Sequence, residues 1–233
     1  MGMWIGRGRK ARRAYGFDEI ALVPGEITIN PAEVDTSWEI GKLKFNVPII
    51  AAAMDGVVDV KFAIAMGKLG GLAVLNLEGV QTRYDDPNEV LDRIANETNE
   101  NATKLVQNLY VKPVKDDLIY KRIKEIKAAK VPAIVSSIPQ KAEKYAKIAE
   151  EAGADIFIVQ STVTTVQHIS TQYKVLDFPK FCKSTKLPII VGNTCSYTTA
   201  LELMKTGISG LLVGIGPGAA CTCNCWSMTC TPR

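Results

Sequence analysis

The chain predicts an α/β fold built on a buried parallel sheet, and three features of its 233 residues point there. Short runs that are apolar at every position recur from residue 47 onward, stretches with apolar residues at helical spacing separate them, and each run ends in polar or glycine residues on its C-terminal side. A run with no polar alternation suits a strand covered on both faces. The helical intervals supply the crossovers that parallel strands need.

In chain order, Arg7, Arg9, Lys10, Arg12 and Arg13 make residues 1–14 a basic, solvated leader. Strands are expected over Val47 to Ala53, Gly71 to Leu75, Pro132 to Ser136, Asp155 to Gln160, Leu187 to Gly192 and Ser209 to Val213. Between them Ile119, Ile123 and Ile126 recur at helical spacing, as do Tyr145, Ile148, Ala149 and Ala152 before a stop at Gly153. The polar stretch from Gly79 to Lys115 predicts one short helix flanked by Asp85-Asp86-Pro87 and the run from Asn96 to Asn101. Repeated βα units at this pitch leave a barrel or an open doubly wound sheet. The strand ends offer Asp55, Asn76, Ser136 and Ser137, Gln160 and Ser161, and Asn193, each of which also suits a helix cap or turn. Asn193-Thr194 in particular can start the next helix.

Composition narrows the class of function. A hydrophobic share of 47% and a charged share of 22% are those of an ordinary globular domain, and a net charge of +4 does not provide the clustered cations that nucleic acid needs. No stretch of membrane-spanning length is apolar, and no signal-peptide core precedes the body, so a cytoplasmic location with reduced cysteines is expected. His168, the single histidine, falls after the fourth strand, where a surface or capping role competes with a catalytic one.

Chemistry concentrates in Gly214-Ile215-Gly216-Pro217-Gly218-Ala219-Ala220-Cys221-Thr222. Three glycines and a proline after the last strand can bring bare backbone against a ligand, while Cys221 presents a thiol whose thiolate backbone N–H groups can stabilise. A buried structural cysteine in a glycine turn is the competing account. Cys221, Cys223, Cys225 and Cys230 also offer four thiolates to zinc or copper(I), although their spacing lacks paired CxxC knuckles.

This loop resembles the catalytic cysteine loop of the IMP dehydrogenase/GMP reductase family, following its Gly-x-Gly-x-Gly-x-x-Cys-Thr pattern. The run from Tyr15 to Pro24 resembles the family's opening segment and Pro48 to Asp55 its first barrel strand. Ala63-Ile64-Ala65, Gly70-Gly71-Leu72 and Val191-Gly192-Asn193 are similar to later landmarks. The resemblance implies an incomplete TIM (β/α)8 barrel over residues 15–222, with six of eight βα units, followed by an unrelated Cys-rich tail over 223–233. Six strands that fail to close imply unpaired edges and an open inner apolar face. The Gly79 to Lys115 stretch is too short for the paired CBS modules of longer members, which points to a CBS-less branch.

The activity it implies is that of a purine nucleoside monophosphate oxidoreductase acting on IMP or GMP. Cys221 adds to purine C2, and hydride moves to or from NAD or NADP. By the same resemblance Met54 packs on the purine, Asn193 hydrogen-bonds the nucleotide, and Gly214 and Gly216 meet the substrate. Gln160 and Ser161 face the cofactor, and the carbonyls of Gly216, Gly218 and Cys221 hold K⁺. Homotetramers are the implied assembly, with no nucleic-acid or membrane partner. Three positions depart from the pattern: Gln160 replaces an aspartate, Ala219 a phosphate-binding serine, and Cys223 a threonine or serine. The alternative is an inactive truncated fragment, or a modulator of full-length homologues.

Overall fold

The computed structural model describes residues 2–5, 7–12, 20–23 and 25–215. Residues 36–213 form one compact unit, and residues 1–35 with 214–233 form a second. In the second unit, β1 (Gly2–Ile5) and β2 (Arg9–Arg12) pair as an antiparallel hairpin, and a 3-10 turn spans Pro31–Glu33. Gly8, at φ 78°, sits in the hairpin turn, where a side chain would be strained.

The larger unit opens with a second hairpin, β3 (Trp38–Ile40) and β4 (Leu43–Phe45). Then come β5 (Ile50–Ala51), α1 (Val60–Lys68) and β6 (Leu72–Asn76). Two further helices, α2 (Pro87–Ala95) and α3 (Asn99–Tyr110), precede α4 (Asp116–Ala128) and β7 (Ile134–Ser137). The chain continues through α5 (Pro139–Ala152), β8 (Ile156–Gln160), α6 (Phe178–Ser184) and β9 (Ile189–Thr194). It closes with α7 (Tyr197–Met204) and β10 (Gly210–Val213). Strands β5 to β10 form one six-stranded sheet in sequential order, every pair parallel.

Helix boundaries follow local chemistry. Asp59 caps α1 by accepting from Phe62 N at 2.6 Å, and Asp177 caps α6 by accepting from Lys180 N at 3.0 Å. Pro139 opens α5, and Gly153, at φ 88°, ends it in the left-handed conformation.

Side chains of each strand divide by a period of two. Ala73, Leu75, Val135, Phe157, Val159, Ile189 and Val191 meet the helices, which contribute Ile119, Ile123 and Ile126 from α4 and Ala142, Tyr145 and Ala149 from α5. Leu72, Val74, Ile134, Ile156, Ile158 and Ile190 point the other way and pack against Trp38, Ile40, Leu43 and Phe45 of the β3–β4 hairpin. Helices therefore cover one face of the sheet and a hairpin covers the other. That excludes a doubly wound sheet and leaves a partial barrel of about six βα units.

Two expectations change. The inner face is not open, because the hairpin fills it with aromatic and aliphatic side chains, Trp38 and Phe45 lying with ring centroids 5.0 Å apart. The polar stretch after β6 holds two helices and a 3-10 turn (Val80–Thr82) where one helix was expected. It folds around a small core of its own, in which Val80, Val90, Leu105 and Leu109 are buried.

Candidate active site at the C-terminal ends of the strands

Parallel pairing in sequential order brings every strand's C-terminal end to one side of the sheet. The neighbours there are the turn after β5 (Met54, Asp55), the end of β6 (Asn76, Glu78), the end of β7 (Ser136, Ser137), the end of β8 (Gln160, Ser161) and the end of β9 (Asn193, Thr194). The polar strand-end residues singled out in the sequence thus share one mouth. Among the residues exposed at its rim are the apolar Met54, Val57, Ile138 and Val163.

The turn carrying Met54 is tightly wound. Met54 N donates to Ala52 O at 2.8 Å, and Met54 O accepts from both Val57 N and Val58 N at 2.9 Å. The next residue, Asp55, holds it to the rest of the mouth. Its carboxylate accepts from Val80 N at 3.1 Å, from Asn76 Nδ2 at 3.3 Å and from the Tyr110 hydroxyl. Gly79 lies under this carboxylate, and a Cβ built there would fall 1.7 Å from Asp55 Oδ1. Burial, then the hydrogen bond and charge of Asp55, push the Tyr110 hydroxyl well above the usual phenol range. Glu78 reaches across to the next strand, accepting from Ile138 N at 2.8 Å. Burial raises its carboxyl above the ordinary value, against the opposing effect of that hydrogen bond.

The β8 and β9 ends are stitched together. Ser161 N donates to Gly192 O at 2.9 Å and Asn193 N donates to Ser161 O at 3.0 Å. Thr164 adds its N–H to Asn193 O at 2.9 Å and its hydroxyl to Gly192 O at 2.6 Å. Asn193 and Thr194 are therefore the end of a strand and not the start of a helix, since α7 begins only at Tyr197. At Gly192 a Cβ would lie 2.4 Å from Leu212 Cβ, so the close approach of β10 requires glycine. Gln160 is half-buried at the end of β8, and Ser161 turns its hydroxyl to Val163 O at 3.1 Å.

Beside Ser161 opens a cleft of about 90 Å³, lined by Gln140, Thr164, Thr165, His168, Tyr173 and Lys174 among others. His168 Nε2 lies 2.8 Å from the Tyr173 hydroxyl, and the two rings stack at 13°.

Gly214 follows β10 with φ 112°, a conformation natural to glycine. Gly216, Gly218 and Cys221, and with them the expected nucleophile and K⁺ carbonyls, lie outside the described residues. Among the described residues no group of three or more His, Cys, Asp or Glu side chains could hold a metal ion, and no helix is long and apolar enough to cross a membrane. Sequence reasoning did not find Gly79 or Tyr110 as site residues. Both take their meaning from Asp55, which lies tens of residues away in the chain.

Comparison with known proteins agrees with this geometry. The family model for the IMP dehydrogenase / GMP reductase domain matches residues 14–233. An uncharacterized oxidoreductase of Mycolicibacterium smegmatis is 34% identical over 223 residues, covering 94% of this chain and 60% of its own length. An inosine-5'-monophosphate dehydrogenase of Methanocaldococcus jannaschii is 22% identical, covering 94% of this chain and 62% of its own. The crystal structure of an IMP dehydrogenase/GMP reductase-like protein from Corynebacterium glutamicum superposes with a TM-score of 0.85 at 34% identity, covering 92% of this chain and 58% of that one. The chain thus spans about 60% of the length of the curated relatives it matches.

Proposed function

The chain belongs to the IMP dehydrogenase/GMP reductase family, and we propose that it serves oxidation or reduction at C2 of a purine nucleoside monophosphate, with Cys221 as the nucleophile. The observation that carries this is the order of the sheet. The loop with the Gly-x-Gly-x-Gly-x-x-Cys-Thr pattern follows β10, and β10 pairs with β9, whose C-terminal end meets Gln160, the last residue of β8, and Ser161 just after it.

Each group has a role its chemistry permits. The Cys221 thiolate forms the bond from Sγ to C2, which divides one hard displacement into two easier steps. Met54, exposed on its wound turn, offers a soft apolar surface to the flat purine. Asn193 supplies an amide to the nucleotide. When bound, a nicotinamide dinucleotide supplies the hydride acceptor or donor. Gln160 and Ser161 would hold its ribose, Gln160 as a neutral amide that gives direction without charge.

The test is covalent. A purine nucleoside monophosphate carrying a leaving group at C2, incubated with the protein and followed by peptide mass spectrometry, is expected to label Cys221 ahead of the other five cysteines. IMP or GMP should slow the labelling. Label spread evenly over Cys182, Cys195 and the C-terminal cysteines would remove the nucleophile assignment.

A further inference from the structure

Asp55 stands next to Met54, and its carboxylate gathers donors from three separate segments: Asn76 at the end of β6, the backbone of Val80, and Tyr110 at the C-terminus of α3. Asn76 ends the strand that faces it, whereas Val80 and Tyr110 both belong to the stretch after β6, whose own core buries Val80, Leu105 and Leu109.

That insertion presents Tyr110 rigidly. Tyr84 Oη donates to Leu109 O at 2.9 Å, Arg83 Nη1 donates to Tyr110 O at 3.1 Å, and the Arg83 guanidinium lies 5.3 Å from the centre of the Tyr110 ring. Arg83 Nε is fixed in turn on Glu78 O at 2.9 Å. The phenol is thus held from behind while its hydroxyl meets the carboxylate.

We infer that Tyr110 is a positioning residue: through Asp55 it sets the turn that presents Met54 to the mouth, and so couples the α2–α3 insertion to the substrate surface. The functional consequence rests on the proposed contact between Met54 and the purine. The mechanical coupling does not.

The experiment uses the full chain labelled with ¹³C at the methionine methyl groups, with the Met54 signal assigned from Met54→Leu. In Tyr110→Phe the Met54 signal should shift, the Met66 and Met204 signals should stay, and affinity for IMP should weaken roughly threefold to tenfold. Asp55→Asn should reproduce the shift, and the double variant should add nothing further. A Met54 signal unchanged in Tyr110→Phe would overturn the inference. So would movement of all three methionine signals together with a fall in melting temperature, because the hydroxyl would then merely hold the fold. The methyl signal decides the matter with or without nucleotide. Should Met54→Leu leave IMP affinity unaltered while Tyr110→Phe still shifts the Met54 signal, the coupling stands and only the purine contact falls.

Discussion

Gly79→Ala should be among the most damaging single-methyl additions the protein can receive. The backbone at Gly79 has φ −89°, open to any residue, so the damage does not come from conformation. It comes from space: the new Cβ would lie 1.7 Å from Asp55 Oδ1 and 2.2 Å from Cγ, where real Cβ atoms are not found. The carboxylate must leave, and with it go the bonds from Asn76, Val80 and Tyr110. Hydrogen bonds to a charged group are worth about 1.5–3 kcal/mol each, but Asp55 is only partly buried and a displaced carboxylate regains water. A net loss of about 2–4 kcal/mol follows. The reduced freedom of alanine in the unfolded chain returns only about 0.4–1 kcal/mol, so the steric effect wins. Urea unfolding followed by circular dichroism measures the loss directly, and Asp55→Ala in the Gly79→Ala background should recover part of it because the colliding group is gone. A Gly79→Ala protein within about 0.5 kcal/mol of the parent would refute the packing of Asp55 on Gly79.

Glu78 and Glu150 should respond to pH in opposite senses. Burial raises Glu78 above 4.5, so the folded state keeps a proton that the unfolded chain releases, and stability falls as pH rises from about 4.5 to the folded value. Glu78→Gln should remove that fall. Glu150 is lowered by the Thr185 hydroxyl and Lys186 N, so its stabilisation is present above 4.5 and lost as pH drops through the folded value, and Glu150→Gln should cost most at neutral pH. Urea midpoints of the three proteins across pH about 3 to 7 check both signs. Gly192→Ala, whose Cβ would meet Leu212 Cβ at 2.4 Å, should pry β10 from β9 and speed amide exchange at Leu211 to Val213 while leaving β7 and β8 protected.

Strand existence and order were legible because burial on both faces leaves a run such as Ile156 to Gln160 apolar at almost every position, and that survives without any tertiary information. The same property hid which face each residue serves. Ile156 and Ile158 turn to the hairpin and Phe157 and Val159 to the helices, yet all four are equally apolar in sequence. The covering of the inner face was missed for a related reason: Trp38, Ile40, Leu43 and Phe45 sit in three-residue strands, too short to show periodicity. Helix α3 was missed because Asn99, Asn101 and Asn108 lower its local propensity, and Leu105 and Leu109 reveal an apolar face only when set against Val80 and Val90.

The shortness of β5 links what was legible to what was not. The apolar run from Val47 to Ala53 promises a strand as long as its neighbours, yet only Ile50 and Ala51 pair with β6. Extended pairing would have to continue through Ala52 and Met54, but Met54 N is spent on Ala52 O and Met54 O on Val57 and Val58 N–H groups. The backbone has left the ladder for a turn, and what compensates is Asp55, whose carboxylate meets three donors that no continuing strand would bring to it. Local propensity therefore yields to a contact between residues 55 and 110, a separation that no window along the sequence reveals. Such a conflict between pattern and structure is expected at a functional site, where pairing is given up to present a side chain. In the proposed site the side chain so presented is Met54, exposed on the turn that follows the strand whose pairing is cut shortest.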